Sequence, residues 1–302
     1  MPGPYASQVA SVGGLPNVNV DIPITSIFLV LYITGAVINI TILQLNNRRQ
    51  HKFLINGMLF GFCMARTATC VLRIVWATRQ HNVRLGIAAS IFNNAGVLLL
   101  YIINLLFAQR IVRALQPTIG WSKVFSTAFK VCYALVVAML VMVITTVVIG
   151  FYTLDMHTKT ICADCQKVAV VILLIIAILP FALISLAFLL PRSHEEEVHF
   201  GHGSIGTKAF ILLATTTLAV VIAGFRAGTS LMPARPISDP AWYQSKAAFY
   251  LFGFLLEICI VAIYDLSRVD KRFHVPDGSS KVRTYRLEEA AEKESRPSVD
   301  TV

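Results

Sequence analysis

Seven long apolar runs, separated by short polar segments, dominate the pattern of this chain. They cover residues 22–45, 53–77, 85–107, 124–152, 168–190, 207–225 and 247–266. A helix needs about 20 mostly apolar residues to cross about 30 Å of hydrocarbon. Backbone groups inside lipid must satisfy their own hydrogen bonds, so runs of this length cross as helices. The pattern therefore predicts an all-α polytopic membrane bundle of seven transmembrane helices.

The distribution of basic residues predicts how this bundle is oriented. The first, third and fifth connections and the C-terminal tail carry more Lys and Arg than the other connections do. Such residues stay in the cytosol, so we predict an N-terminus outside and a C-terminus inside. The chain then divides into a short outer segment (1–21), a seven-helix domain (22–267) and a basic, then mixed-charge tail (268–302). The polar composition of the tail predicts that it is largely disordered.

Composition supports the membrane interpretation and changes how the net charge is understood. The chain has 302 residues, of which 56% are hydrophobic and 14% charged, whereas soluble domains carry about 25% charged residues. The net charge of +10 could indicate nucleic-acid binding, but most of the basic residues stand beside apolar runs. We therefore predict no nucleic-acid partner and membrane lipids as neighbours. The plasma membrane is the hypothesis for the location, with an endomembrane as the alternative.

Ionisable residues inside the apolar runs are the main candidates for a functional site. Arg66 and Glu257 lie near the middle of the second and seventh runs, where a charge costs at least about 2.5 kcal/mol and normally faces the bundle interior. We predict that they form an ion pair lining a central cavity, with Asn94 as a polar neighbour. The alternative is a contact between helices without a ligand.

Two further arginines lie nearer the predicted outer surface. Arg73 follows Arg66 by seven residues, on roughly the same helix face, and Arg226 lies near the outer end of the sixth run. Either residue could extend a cationic lining of the cavity. The favoured interpretation is that both side chains reach back to the membrane interface.

The cysteines and histidines outside the spans leave several options open. Cys162 and Cys165 lie in the predicted second outer connection, where a disulfide, a metal pair or two free thiols are all compatible with the sequence. A cluster in the third cytosolic connection fits no established zinc spacing and is interpreted as a solvated loop: His194, Glu195, Glu196, Glu197, His199 and His202. No metal site is predicted.

Signatures of enzymes and pumps are missing from the sequence. It contains no phosphate-binding glycine loop, no dinucleotide fingerprint and no nucleophile elbow. No lysine lies in the middle of the seventh run, where a retinal Schiff base would need one. We therefore predict no catalytic residue and no cofactor.

Several short segments carry a resemblance to a known family. They include Phe60-Gly61-Phe62-Cys63-Met64-Ala65-Arg66, Phe225-Arg226-Ala227-Gly228-Thr229 and Ala241-Trp242-Tyr243-Gln244-Ser245-Lys246-Ala247. Over roughly residues 20–278 the chain resembles a family of fungal seven-span membrane proteins with a domain of unknown function. Members of this family are sometimes labelled family-C-like G-protein-coupled receptors. The resemblance implies a fungal membrane protein, without a known ligand or reaction.

Three functions are compatible with these observations. The first is a receptor-like sensor that binds a small lipophilic or anionic ligand among Arg66, Asn94 and Glu257, with a signalling partner at the cytosolic tail. The second is a transporter or lipid-translocating protein. The third is a membrane-embedded enzyme of the terpene-cyclase type, with Glu257 as the acid. The chain lacks the Asp-Arg-Tyr and Asn-Pro-x-x-Tyr motifs of many receptors, so all three alternatives stay open, with the sensor preferred.

Overall fold

A computed structural model describes residues 3–5, 9–49, 53–191, 200–275 and 285. Seven of its helices are long and apolar enough to cross a membrane, which confirms the predicted all-α fold and its number of spans. They are α1 Val18–Arg48, α2 Ile55–Thr78, α3 Val83–Leu115, α4 Lys123–Tyr152, α5 Met156–Leu189, α6 Ile205–Leu231 and α7 Lys246–Leu266. Among the described residues, extended pairing is limited to one isolated bridge between Val9 and Pro236. The orientation in the membrane remains a prediction.

Most of these helices begin at a polar residue whose side chain accepts a hydrogen bond from the backbone of the first turn. Such N-caps satisfy amide groups that have no partner within the helix. They explain why the helices extend beyond the apolar runs and into the polar connections. The capping residues are Asn17, Asn82, Ser122, Asp155, Ser204 and Ser245.

Helix α3 lies at the centre of the bundle. It packs against α2, α4, α5 and α6, while α7 closes the bundle between α6 and α1. About 67% of the most apolar window of α3 is buried, compared with 11% for α4. Since the surface of a membrane helix without protein neighbours faces lipid, α4 is the more peripheral of these two helices and α3 the more central.

Helix α7 is interrupted by a π-helical turn over Leu251–Leu255. A π-turn widens the helix and changes the direction of the side chains that follow, and such turns are frequent at functional sites. The Tyr32 hydroxyl donates a hydrogen bond of 2.8 Å to the Phe254 carbonyl in this turn. Glu257 follows two residues after the turn, so its direction depends on it. Helix α5 contains the buried Pro180 and continues as one helix through it.

We call the end of the bundle where α1 begins the strap end, and the opposite end the tail end. At the tail end, Tyr285 is buried with 4% of its surface exposed. Its ring packs against those of Trp121 and Phe200, with centroids 5.2 and 5.4 Å apart. The Arg113 guanidinium lies 4.5 Å from the Trp121 ring. Aromatic packing thus holds the Tyr285 side chain on the bundle, and a largely disordered tail remains a prediction.

Candidate functional site

The centre of the bundle holds an ion pair between α2 and α7. Arg66 Nη2 donates a hydrogen bond of 2.5 Å to Glu257 Oε1. Arg66 Nε also lies 2.5 Å from Oε2, although the angle of this second contact is not that of a hydrogen bond. Both side chains are 0% exposed. Buried charges are tolerated only when they are paired, and each of these two supplies the partner that the other needs.

Helix α3 comes very close to this pair because it has a glycine at the contact. A Cβ atom on Gly96 would lie 3.3 Å from Arg66 Nε, which is tighter than most carbon contacts. Three residues earlier on α3, the Asn93 Oδ1 atom accepts a hydrogen bond of 2.7 Å from Arg66 Nη1. The glycine and the amide together place the guanidinium between α2, α3 and α7.

A second arginine, from α6, shares the same carboxylate. Arg226 Nη2 lies 3.9 Å from Glu257 Oε1. Its guanidinium donates to Asn94 Oδ1 at 3.2 Å and to the Asn93 carbonyl at 3.0 Å. The Arg226 side chain is 21% exposed, unlike Glu257. Two guanidinium groups therefore face one carboxylate, and the more distant one is also the more accessible.

That accessible side belongs to a cavity of about 630 Å³ at the strap end. Ligand cavities of small molecules have about 300–1,000 Å³, so this one is large enough. It extends between α2, α3, α4, α5, α6 and α7, and it is covered partly by residues 9–12. Arg226, Asn93, Asn94 and Arg73 line it, whereas Arg66 and Glu257 do not. The buried pair lies behind the cavity wall.

A separate charged cluster joins α1, α2 and α7 near the strap end. Arg73 Nη2 lies 2.8 Å from Asp21 Oδ1, and the Asp21 carboxylate is 0% exposed. Lys246 also pairs with Asp21, and the Tyr250 hydroxyl donates to Asp21 Oδ1 at 2.7 Å. Asp21 thus has two cationic partners. This cluster fixes Arg73 at the edge of the cavity.

Residues 9–14, which we call the strap, cross the mouth of the cavity in an ordered path. The Ala10 amide donates to the Arg235 carbonyl at 2.9 Å, and the Gly13 amide donates to the Gln244 carbonyl at 3.0 Å. Arg73 Nη2 donates to the Gly13 carbonyl at 2.8 Å. Gly13 has a φ of +82°, and a Cβ there would lie 2.6 Å from the Phe249 ring. Only glycine fits this turn of the strap.

The structure brings together some of the predicted site residues and separates others. Arg66 and Glu257 are in contact as predicted, but they are sealed from the cavity, which corrects the prediction that the pair lines it. Asn94 reaches this network through Arg226, and its neighbour Asn93 is the residue that contacts Arg66. Arg73 belongs to the Asp21 cluster instead. Whether these residues bind a ligand remains a prediction.

Arg73 and Arg226 each have a buried carboxylate as a partner, which the interfacial interpretation did not include. Arg73 is 4% exposed and pairs with Asp21, and Arg226 points towards Glu257. When the helix face points inward, pairing with a buried carboxylate stabilises a guanidinium more than an interfacial position does.

Cys162 and Cys165 lie on the second and third turns of α5, because α5 begins at Met156. The predicted outer connection is therefore shorter than the apolar pattern suggested. Of the three alternatives for these residues, the structure shows two free thiols. The described part of the chain contains no group of three or more metal-ligating side chains. Most of the histidine and glutamate cluster after α5 (192–199) lies outside the described residues, so its interpretation stays a prediction.

Sequence analysis missed several members of the two networks, among them an acid, a lysine and an amide. Asp21 precedes the first apolar run by a single residue, Lys246 precedes the last, and Asn93 stands directly before Asn94. An acid at the beginning of one span and a lysine at the beginning of another were visible signals. What could not be predicted was which helices are neighbours, and that decides which charges meet.

Comparison with known proteins gives a family for this arrangement. Residues 117–204 and 198–274 match a family described as "protein of unknown function (DUF3112)", and the two matches together cover more than half of the chain. The chain belongs to the DUF3112 family. The DUF3112 match includes α4, α5, α6 and α7, and therefore Arg226 and Glu257, but not α2 or the asparagines of α3. No curated protein and no solved structure matches the chain.

Proposed function

We propose that this DUF3112 protein is a receptor-like membrane sensor that binds a small ligand in the strap-end cavity. The observation that carries the proposal is that Arg226 both lines the cavity and takes part in the buried network with Glu257. A ligand that contacts Arg226 affects α3 through Asn93 and Asn94, which accept hydrogen bonds from Arg226. It also affects α7 and α2 through Glu257, which faces Arg226 and pairs with Arg66. Binding therefore favours some helix arrangements over others, which is what a sensor requires.

The charge pattern supplies the direction of the signal in this proposal. If the basic tail is cytosolic, as the positive-inside rule predicts, the strap end and its cavity face the outside. The tail end, where Tyr285 packs on Trp121, then faces the cytosol. A ligand from outside would thus be read by a partner at the cytosolic tail. The receptor label and the fungal origin implied by the family resemblance agree with this proposal but do not carry it.

The cavity is tested with a pair of glycine substitutions. An added Cβ meets no atom within 4 Å at either Gly253 or Gly150, but only Gly253 lines the cavity. Gly253→Phe therefore fills the cavity, and Gly150→Phe is its control. Protein purified from native membranes into lipid nanodiscs is analysed by native mass spectrometry. We expect a small molecule to co-purify with the wild type and Gly150→Phe, and to be absent from Gly253→Phe.

The result decides the proposal in two steps. A wild type that carries no small molecule, or a Gly253→Phe variant that keeps it, contradicts a ligand site in this cavity. If the molecule is present, deletion of the chain after residue 275 is expected to abolish its effect on co-purifying cytosolic proteins while leaving its binding intact. Recruitment that survives this deletion contradicts the role of the tail.

A transporter is the second candidate, because one helix beside the cavity is interrupted by a π-turn and another contains a buried proline. The π-turn of α7 contributes Phe252 and Gly253 to the cavity, and α5 contains Pro180. Broken helices beside a central cavity are common in transporters. Flux of the co-purified molecule across liposomes that contain the protein favours this candidate over a sensor. The enzyme alternative gains no support, because Glu257 is ion-paired and does not line the cavity.

A further inference from the structure

The charges around the strap-end cavity are one-sided. Three cationic residues line it, Arg73, Arg226 and Lys167, and no Asp or Glu is found among the described residues that do so. Two of the three are neutralised close by. Arg73 pairs with Asp21, and Lys167 pairs with Asp164 at 2.9 Å on the exposed edge. Arg226 is the cation whose charge remains least compensated.

The contacts of Arg226 show why its charge remains available. Arg66 holds both oxygens of Glu257 at 2.5 Å, so the carboxylate is already engaged when Arg226 approaches it at 3.9 Å. The two hydrogen bonds of Arg226 go to neutral amide oxygens. A guanidinium carries five N–H donors, so several remain for a ligand. Its 21% exposure is towards the cavity that it lines.

The rest of the cavity lining is mostly apolar. Aliphatic side chains reach it from four helices, including Val97 on α3, Leu140 on α4, Leu173 on α5 and Leu231 on α6. The Phe225 and Phe252 rings, which also line it, stack with centroids 4.1 Å apart. Such walls favour a hydrocarbon chain because burying apolar surface is favourable by about 25 cal/mol per Å². A wholly polar anion would leave these walls unmatched.

We infer that the cavity binds an anionic amphiphile, with one acidic head group on Arg226 and Asn94 and an apolar chain along the aliphatic walls. The inference rests on the proposed function and names the chemical class of its ligand. An acid head group supplies the missing negative charge and accepts from the free guanidinium donors. Its bonds to Arg226 are charge-assisted and roughly twice as strong as neutral ones. The Asn94 amide adds donors beside it. A carboxylate and the phosphate of a single-chain lipid share this chemistry.

Four twelve-carbon probes that differ only in the head group test the inference: dodecanoate, dodecyl phosphate, dodecanol and dodecylamine. Binding is measured by calorimetry on protein in nanodiscs of neutral phosphatidylcholine, with empty nanodiscs subtracted. We expect the two anions to bind more tightly than the alcohol and the amine to bind least. The tighter of the two anions identifies the source, a free carboxylic acid or a lipid phosphate.

Arg226→Gln removes the charge, and Arg235→Gln is its matched control. Arg235 lies in the loop after α6, is 47% exposed and pairs with Asp239. We expect dodecanoate binding to weaken by at least about tenfold in Arg226→Gln and to stay unchanged in Arg235→Gln. Arg226→Lys keeps the charge without the two-pronged geometry, so its loss should be smaller. Equal binding of dodecanol to wild type and Arg226→Gln confirms that the variant keeps its cavity.

Three results overturn the inference. In the first, the anions bind no better than dodecanol. In the second, the protein prefers dodecylamine, and in the third, Arg226→Gln leaves anion binding unchanged. In each of these the proposed function survives if Gly253→Phe still abolishes binding and Gly150→Phe does not. If no probe binds the wild type and no small molecule co-purifies with it, the cavity is not a ligand site, and both proposals fail together.

Discussion

Replacing Glu257 by Gln removes the carboxylate that both Arg66 and Arg226 face. The Arg66 guanidinium is 0% exposed, so it cannot turn to water. The glutamine amide oxygen still accepts one hydrogen bond but carries no charge. The variant therefore leaves two guanidinium groups close together, with the carbonyl and amide oxygens of Asn93 as their remaining shared neighbours.

The structure sets the size of the expected effect. Removing one member of a buried ion pair costs about 3–5 kcal/mol. The second contact, to Arg226 at 3.9 Å, would add up to about 4 kcal/mol at an effective dielectric constant of 20. Because Arg226 is partly exposed to the cavity, water replaces much of that second contribution. We therefore expect a total loss of about 4 kcal/mol, which at 2–4 °C per kcal/mol corresponds to about 10 °C in Tm.

Thermal unfolding is followed with a thiol-reactive fluorophore, because Cys63 and Cys70 are 0% exposed and react only when the bundle opens. Asp239→Asn is the matched control. It removes a carboxylate from an ion pair whose side chains are 47% and 78% exposed. Pairs of this kind contribute about 0–1 kcal/mol, so the control should unfold within about 2 °C of the wild type.

A double variant separates loss of the pair from loss of one partner. Arg66→Met with Glu257→Met removes both buried charges and fills the space with apolar side chains. Such replacements are often neutral or stabilising, so the double variant should be more stable than Glu257→Gln. A Glu257→Gln variant as stable as Asp239→Asn would refute this account of the central pair. A double variant less stable than Glu257→Gln would refute it as well.

Three further predictions follow from particular contacts. Gly96→Ala places a Cβ 3.3 Å from the central guanidinium and should lower the free energy of unfolding by about 1 kcal/mol. Its control is Gly61→Ala, where the nearest neighbour lies at 4.0 Å, and this variant should gain helix stability in the same unfolding assay. Burial raises the pKa of Asp270, but hydrogen bonds and charge from Arg268 lower it further, to below its usual 3.8. Asp270 therefore contributes its full stabilisation above about pH 3.8, and this stabilisation is lost as the pH falls through the lowered pKa. The difference in unfolding free energy between the wild type and Asp270→Asn should thus vanish in acid. Tyr285→Ala should cost about 3 kcal/mol and Tyr285→Phe only about 1, because the phenylalanine keeps the ring contacts; equal losses would contradict this.

Part of the candidate site could be predicted from the sequence because depth can be counted along a helix. Arg66 and Glu257 were expected at the same level, and they meet there. The same count could not show that Arg226 turns inward, since it lies near a helix end where an interfacial position is equally reachable. The π-turn that precedes Glu257 has no sequence pattern of its own. Ideal α-helix geometry therefore gives the wrong direction for the side chains that follow Leu255.

The sequence by itself determined the class of this protein, its seven spans and the presence of buried charges. Hydrophobic length fixes these properties locally, because each span must satisfy its own backbone in lipid whatever its neighbours are. Tertiary structure alone decided that Arg73 pairs with Asp21, that Arg226 shares Glu257, and that a strap-end cavity lies beside them. These contacts join residues that are far apart in the chain. They are brought together by the packing of α1 against α2, of α3 against α2 and α6, and of α7 against α1 and α6.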